Sequence, residues 1–396
     1  MTSIIYDKRL NVIPLSEPSI TGNEWKYIKE CLDTGWVSSV GSYVNRFEKM
    51  VAKYVGCKYG IAVVNGTAAL HLSLLVCDVI SGDEVIVPTL TFVATANVVR
   101  YCGADPVFID CDQETLCLDV EKLTFFLKME CIRKNDGYTY NKASGRRIKA
   151  IIAVHIFGHP VEMDDIIGLC QLYNIDIIED ATESLGSEYK GQKTGSFGKL
   201  ACLSFNGNKI ITSGGGGMVV TNDECLAEKV KHLSTQAKND SIEYDHNEIG
   251  YNYRLTNIQA AMGVAQMESL DTFVEIKRKN AFRYKNLFSN INSIEFMWEK
   301  LWVKSNFWFY TIKVSTAHKK TLMDFLLSKN IQVRPLWKPI HTLPMYKDCQ
   351  TQRIESAINI YDTAINLPCS VSLKEDEIDF IVKNIECYFS SKSTDT

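Results

Sequence analysis

The chain predicts an α/β fold: a large domain around a mainly parallel sheet, then a smaller α+β domain. Three observations carry this. Short β-branched runs recur at residues 84–87, 106–110, 150–155, 175–178 and 218–221, apolar on both faces as parallel strands covered by helices must be. The segments between them are long enough for crossovers, and several repeat apolar residues at helical spacing. Beyond residue 255 the alternation gives way to long helical stretches with few strands.

Each element has its own signal. Thr21-Gly-Asn-Glu24 is a capping-box pattern, followed by Trp25, Ile28 and Leu32 on one helical face and Gly35 as a stop. Phe47, Met50, Val51 and Tyr54 repeat at helical spacing before Gly56. Residues 63–70 read as a strand, a turn and a small-residue helix start. The charged, apolar-poor segment 128–147 is expected to be a surface insertion. Thr256-Asn-Ile-Gln259 is a second capping box, opening helical sequence to about residue 290. The smaller domain is then built from 307–314, a helix over 320–327 and a last helix over 375–389, with a frayed tail at 390–396. The expected division is 1–255 and 256–396, the N-terminal segment packing with the smaller part.

Composition narrows the function. A formal net charge of −4 over 396 residues leaves no basic excess for a generic nucleic-acid binder. Residues 1–10 lack an apolar signal core, and no run approaches membrane-spanning length. The thirteen cysteines are scattered without a Cys-x-x-Cys pair, as expected of reduced thiols. The cytoplasm is the expected address.

The chemistry concentrates in three places. Lys209 precedes Gly214-Gly-Gly-Gly217, and glycines let a backbone approach a ligand closely. An amine held there can form a Schiff base with an aldehyde cofactor; the plain alternative is a solvated loop lysine. Asp180 ends the strand at 175–180, where open α/β sheets place ligand-binding groups; its alternative is a strand-end carboxylate capping a helix. Its neighbour Glu179 alternates to the other side and is expected to be structural. Gly66, Thr67 and Ala68 open a helix whose N–H groups offer a phosphate seat. Anion seat, carboxylate and lysine meet the needs of pyridoxal phosphate. His155 and His159 have metal-like spacing, but Gly158 and Pro160 break the helix a metal pair would need, so no metal is expected. The glycine run leads into a strand, which excludes a dinucleotide fingerprint.

Beyond these groups, the segments 34–41, 65–70, 88–96, 179–186, 204–209 and 250–261 resemble, in order and across nearly the whole chain, the DegT/StrS-type nucleotide-sugar aminotransferases. The resemblance implies fold type I of the pyridoxal phosphate enzymes, with a large domain around a seven-stranded-type sheet. It implies that Lys209 carries pyridoxal 5′-phosphate and that Asp180 pairs with the pyridine nitrogen. Gly66, Thr67, Ala68, Ser204 and Asn206 become cofactor contacts, and Phe92 stacks on the ring. Asn252 reaches the phosphate of a neighbouring subunit, which makes the enzyme a homodimer with interfacial sites. Glu183 stands where many members carry glutamine. Arg254, Arg334, Trp337 and His341 are the implied substrate contacts.

The implied reaction is ping-pong transamination from glutamate to the C4 keto group of a nucleotide-linked 4-keto-6-deoxy (acetamido) sugar. Relatives that deoxygenate carry histidine in place of Lys209. The branch resembled makes bacillosamine- or legionaminic-type sugars for bacterial surface glycans. A C3 aminotransferase, a non-catalytic cofactor-binding regulator and a nicotinamide-dependent sugar enzyme are the alternatives.

Overall fold

The computed structural model describes residues 12–240 and 242–393; the expectations for residues 1–10 and for 394–396 lie outside these. The strands are β1 (Tyr59–Val63), β2 (Glu84–Pro88), β3 (Asp105–Ile109), β4 (Cys131–Arg133), β5 (Thr139–Asn141), β6 (Arg147–Val154) and β7 (Asp176–Asp180). The hairpin β8 (Glu188–Tyr189) and β9 (Gln192–Lys193) precedes β10 (Leu200–Ser204) and β11 (Gly217–Thr221). Later strands are shorter: β12 (Glu295–Phe296), β13 (Val303–Lys304), β14 (Tyr310–Lys313), β15 (Arg334–Pro335), β16 (Thr351–Gln352) and β17 (Ala364–Leu367).

The main sheet runs β1-β11-β10-β7-β6-β2-β3-β16. Pairing from β10 through β7, β6 and β2 to β3 is parallel, and β11 runs antiparallel to both its neighbours. The α/β fold with a mainly parallel sheet is therefore observed. Successive side chains of β11 alternate faces. Val219 joins helices Gly66–Val76, Ala94–Tyr101 and Glu224–Ser234 through Leu72, Val99 and Val230. Met218 and Val220 join helices Ser42–Val55 and Asn257–Met267 through Phe47, Val51 and Val264. Gly263 lets the last two helices meet, since a Cβ there would lie 2.7 Å from the Phe47 ring.

A second sheet, β12-β14-β17-β15, is antiparallel. Ile13 bridges Ile331 and Cys369 N–H donates to the Leu15 carbonyl, so the N-terminal segment lies on this second sheet's body. Helices Thr316–Ser328 and Glu375–Ser393 pack on one another.

Helix Glu24–Thr34 buries Glu24 and Cys31, while Trp25 is 83% and Leu32 60% exposed. The cause is polar: the Glu24 carboxylate accepts from Gly22 N–H and Gln266 Nε2 and turns that face inward. Several expectations are corrected. Asn23, not Thr21, holds the N-cap position. Segment 128–147 is no plain surface insertion, because it forms the hairpin β4–β5, and β5 extends the main sheet by pairing with β6. The last helix runs to Ser393, so residues 390–393 are helical rather than frayed.

Candidate functional site

All parallel strands of the main sheet end on one side, where an α/β sheet offers its ligand crevice. A cavity of about 480 Å³ opens there, with Asn65, Gly66, Thr67, Phe92, Thr182, Glu183, Ser204, Asn206 and Lys209 on its sheet side. Trp308, Phe309, Arg334, Trp337 and Asn366 close it from the second sheet.

The seat at the start of helix Gly66–Val76 follows from Asn65. Its backbone is extended and its side chain accepts the Ala68 N–H at 2.8 Å. The first N–H groups of a helix have no intrahelical partner. Asn65 takes that of Ala68 here, while Gly66 and Thr67 line the cavity. The fit is close. A Cβ on Gly217 would lie 2.4 Å from the Asn65 carbonyl carbon, and one on Gly66 would lie 3.0 Å from Ser204 Cβ.

Asp180 is buried at the end of β7, with Oδ2 accepting from Thr95 Oγ1 at 2.8 Å and Oδ1 from Thr182 N–H at 3.3 Å. Glu183 is buried one turn on. Its Oε2 accepts the Phe157 N–H at 2.8 Å, and its Oε1 lies 3.7 Å from Lys209 Nζ. Burial pushes the Glu183 carboxyl up to about 7, against the pull of the Lys209 charge. Lys209 has a side chain only 12% exposed, and burial lowers its pKa while Glu183 and Asp180 oppose the shift. Its Nζ stands 3.9 Å from the centre of the Trp308 ring, whose Nε1 donates to the Asn208 carbonyl at 2.6 Å.

Phe92 is 52% exposed at the cavity mouth, 5.7 Å from Trp337. Arg334 lines the cavity beside it. Arg254 and His341 do not line the cavity, and Asn252, expected to reach a neighbouring subunit, is at the surface. Arg254 Nη1 donates to Glu48 Oε1 and to the Ala62 carbonyl, both at 2.9 Å, and so braces β1 instead of facing the cavity. His341 Nδ1 sits 2.6 Å from Thr89 Oγ1, outside the lining. Asn252 is exposed and bridges Thr235. Sequence reasoning missed Trp308, Asn366, Thr95 and Phe157. Thr95 sat within a motif segment and Phe157 between His155 and His159; Trp308 lay in an aromatic run read simply as a strand.

His155 and His159 serve other ends. His155 Nε2 is 2.9 Å from Glu179 Oε2, while its Nδ1 accepts the Val161 N–H. His159 packs edge-on to Phe307, 5.5 Å away, and burial lowers its pKa to about 4.

A largely enclosed lysine, its pKa lowered by burial, beside an anion seat and a carboxylate defines a class: enzymes that handle carbonyls through an amine. The chain belongs to the DegT/DnrJ/EryC1/StrS aminotransferase family, whose sequence profile matches residues 18–386. It is 40% identical to the GDP-perosamine synthase of Escherichia coli O157:H7, over 97% of this chain and all of that one. It is 31% identical to the UDP-4-amino-4,6-dideoxy-N-acetyl-beta-L-altrosamine transaminase of Campylobacter jejuni strain 81-176, over 90% and 91% of the two chains. Among solved structures, the putative sugar aminotransferase Spr1654 of Streptococcus pneumoniae in its PLP form aligns with TM-score 0.84 and 25% identity, covering 94% and 97%.

Proposed function

We propose that this aminotransferase moves an amino group from glutamate to the C4 keto group of a nucleotide-linked 4-keto-6-deoxy (acetamido) sugar. The observation that carries the reading is Lys209 Nζ, buried at the cavity floor with Glu183 3.7 Å away and the helix start of Gly66 and Thr67 lining the same space. The similarity to a GDP-perosamine synthase supports a nucleotide-linked sugar, and that to a transaminase named for a UDP-4-amino sugar supports the C4 position.

The family uses pyridoxal 5′-phosphate, and the donor set here suits it. Gly66 and Thr67 N–H with the Ser204 hydroxyl would hold the phosphate, Asp180 the ring nitrogen and Phe92 the ring face. When bound, the cofactor supplies an electron sink beside the reacting carbon. Lys209, whose pKa burial lowers, would move the proton at the α-carbon of glutamate and, in the second half-reaction, at C4 of the sugar. Trp308, Phe309 and Trp337 would exclude water from that carbon.

Residues 1–255 would then hold the cofactor, and 256–396 supply Trp308, Arg334 and Trp337 as the substrate wall. A homodimer fits the exposed Asn252 and the exposed apolar Trp25, Leu32, Trp36 and Val40. Among the described residues no helix is long and apolar enough to cross a membrane. The test is incubation with glutamate and a panel of keto-sugar nucleotides, with products read by mass and the amine position by NMR. A glutamate-dependent C4 amine is expected; no amine on any member of the panel, or an amine at C3, overturns the reading.

A further inference from the structure

We infer that Glu183 is the proton partner of Lys209: its Oε1 takes a proton from the Nζ ammonium, which leaves the lysine a neutral amine, and returns it to restore the ammonium. The inference rests on the proposed role of Lys209.

Placement comes first. Phe157 has φ 54, a left-handed backbone that costs a bulky residue energy and persists only where surroundings enforce it. Gly158 follows at φ 91, where a Cβ would lie 1.9 Å from Asn306 Oδ1. This turn aims the Phe157 N–H at Glu183 Oε2 and fixes the carboxyl plane. Oε1 is left facing Nζ at 3.7 Å, a gap that a small side-chain rotation closes to hydrogen-bond length.

The competing groups are engaged or cannot take a proton. Asp180, at the end of β7, has both oxygens bonded, to Thr95 and to Thr182. The Trp308 ring offers Nζ a π face, not a base. Cys117, buried within the field of Glu183, donates its thiol to the His159 carbonyl at 3.1 Å and is held protonated by burial. Arg334 lines the cavity mouth as a further charge.

Burial moves the two pKa values toward each other, raising the carboxyl and lowering the amine. Each shift lowers the cost of passing a proton between the two groups, and the pair titrates as a unit. The transfer breaks one Nζ–H bond and forms one Oε1–H bond, turning an ammonium–carboxylate pair into an amine and a carboxylic acid. If Glu183 served only as an acceptor for the Phe157 N–H, an amide would do as well without the cost of a buried charge.

The test reads Lys209 directly. Full-length protein stripped of cofactor is acetylated with acetic anhydride across a pH series, and modification at Lys209 is followed by peptide mapping. The wild type is expected to show two inflections, the lower near pH 7. Glu183→Gln keeps an acceptor for Phe157 but removes the field that favours the ammonium. It is expected to show one inflection, below the upper one of the wild type. Glu183→Asp is expected to restore two. A Gln curve superimposed on the wild-type curve, or an Asp variant with one inflection, overturns the inference. Turnover plays no part in this readout. If two inflections stand while no keto sugar is aminated, the proton pair survives and the reaction reading falls; the converse result separates them the other way.

Discussion

Glu179 and Asp180 are neighbours at the end of β7, and they open onto two regions built on opposite terms. On one side, Glu179 is saturated: Oε1 accepts from Phe197 and Gly198 N–H at 2.7 Å each, and Oε2 from Gly195 N–H and His155 Nε2 at 2.8 and 2.9 Å. On the other, Asp180, Glu183 and Lys209 share few donors, and Glu183 Oε1 faces an amine beyond hydrogen-bond reach. A fully bonded buried charge holds a loop in place; an underbonded one keeps capacity for a proton or a ligand. Burial alone would not have told them apart, because both carboxylates are buried.

The contrast is broken most sharply at Lys209. Lys209→Ala should lower turnover by about 10⁴-fold, the scale of losing a positioned acid–base group, with little change in the denaturation midpoint. A variant that unfolds, or one that keeps substantial turnover, would place Lys209 on the structural side. Glu179→Gln should do the reverse. Its amide would point hydrogens at backbone donors already aimed there, costing about 3 kcal/mol in chemical denaturation. Turnover of the folded fraction should persist.

The structural side should also carry the pH sensitivity of the fold. Burial lowers the folded-state pKa of His159 to about 4, below the value of an exposed histidine. Its contribution to stability is present above the unfolded pKa of about 6.5 and is lost as pH falls toward the folded value, because the unfolded chain binds the proton more readily. Between pH 7 and 5 the loss should be about 2 kcal/mol, read from denaturant midpoints, and His159→Gln should flatten it. A slope unchanged by that substitution would assign the sensitivity elsewhere.

Much of this contrast is written locally in the chain. Strand alternation separates Glu179 from Asp180, and the lysine before four glycines is visible because glycine marks close backbone approach. The far wall is not. Trp308 meets Lys209 across about a hundred residues of sequence, from the segment leading into β14, with no spacing rule to join them. The partner of Arg254 is hidden for the same reason, since Glu48, which takes its guanidinium, lies far upstream. Trp25 and Leu32 share a helical face that this chain leaves exposed. Periodicity finds the apolar face of a helix but not which face the rest of the chain covers.

The finest test falls on Asn65, which belongs to both regions. Its side chain caps helix Gly66–Val76 through the Ala68 N–H, while its carbonyl lies where Gly217 alone can pass. Asn65→Ala removes the cap and should cost about 1 kcal/mol. The helix should hold, because Leu72 and Leu74 remain buried in the core. With Ala68 N–H released and the loop freed, the seat for an anion loses its order more than the fold loses stability. Cofactor retention on dialysis should therefore fall in a variant whose denaturation midpoint barely moves. Equal losses in both would mean that the helix start is held as rigidly as the Glu179 knot, and that donor saturation does not separate the two sides of β7.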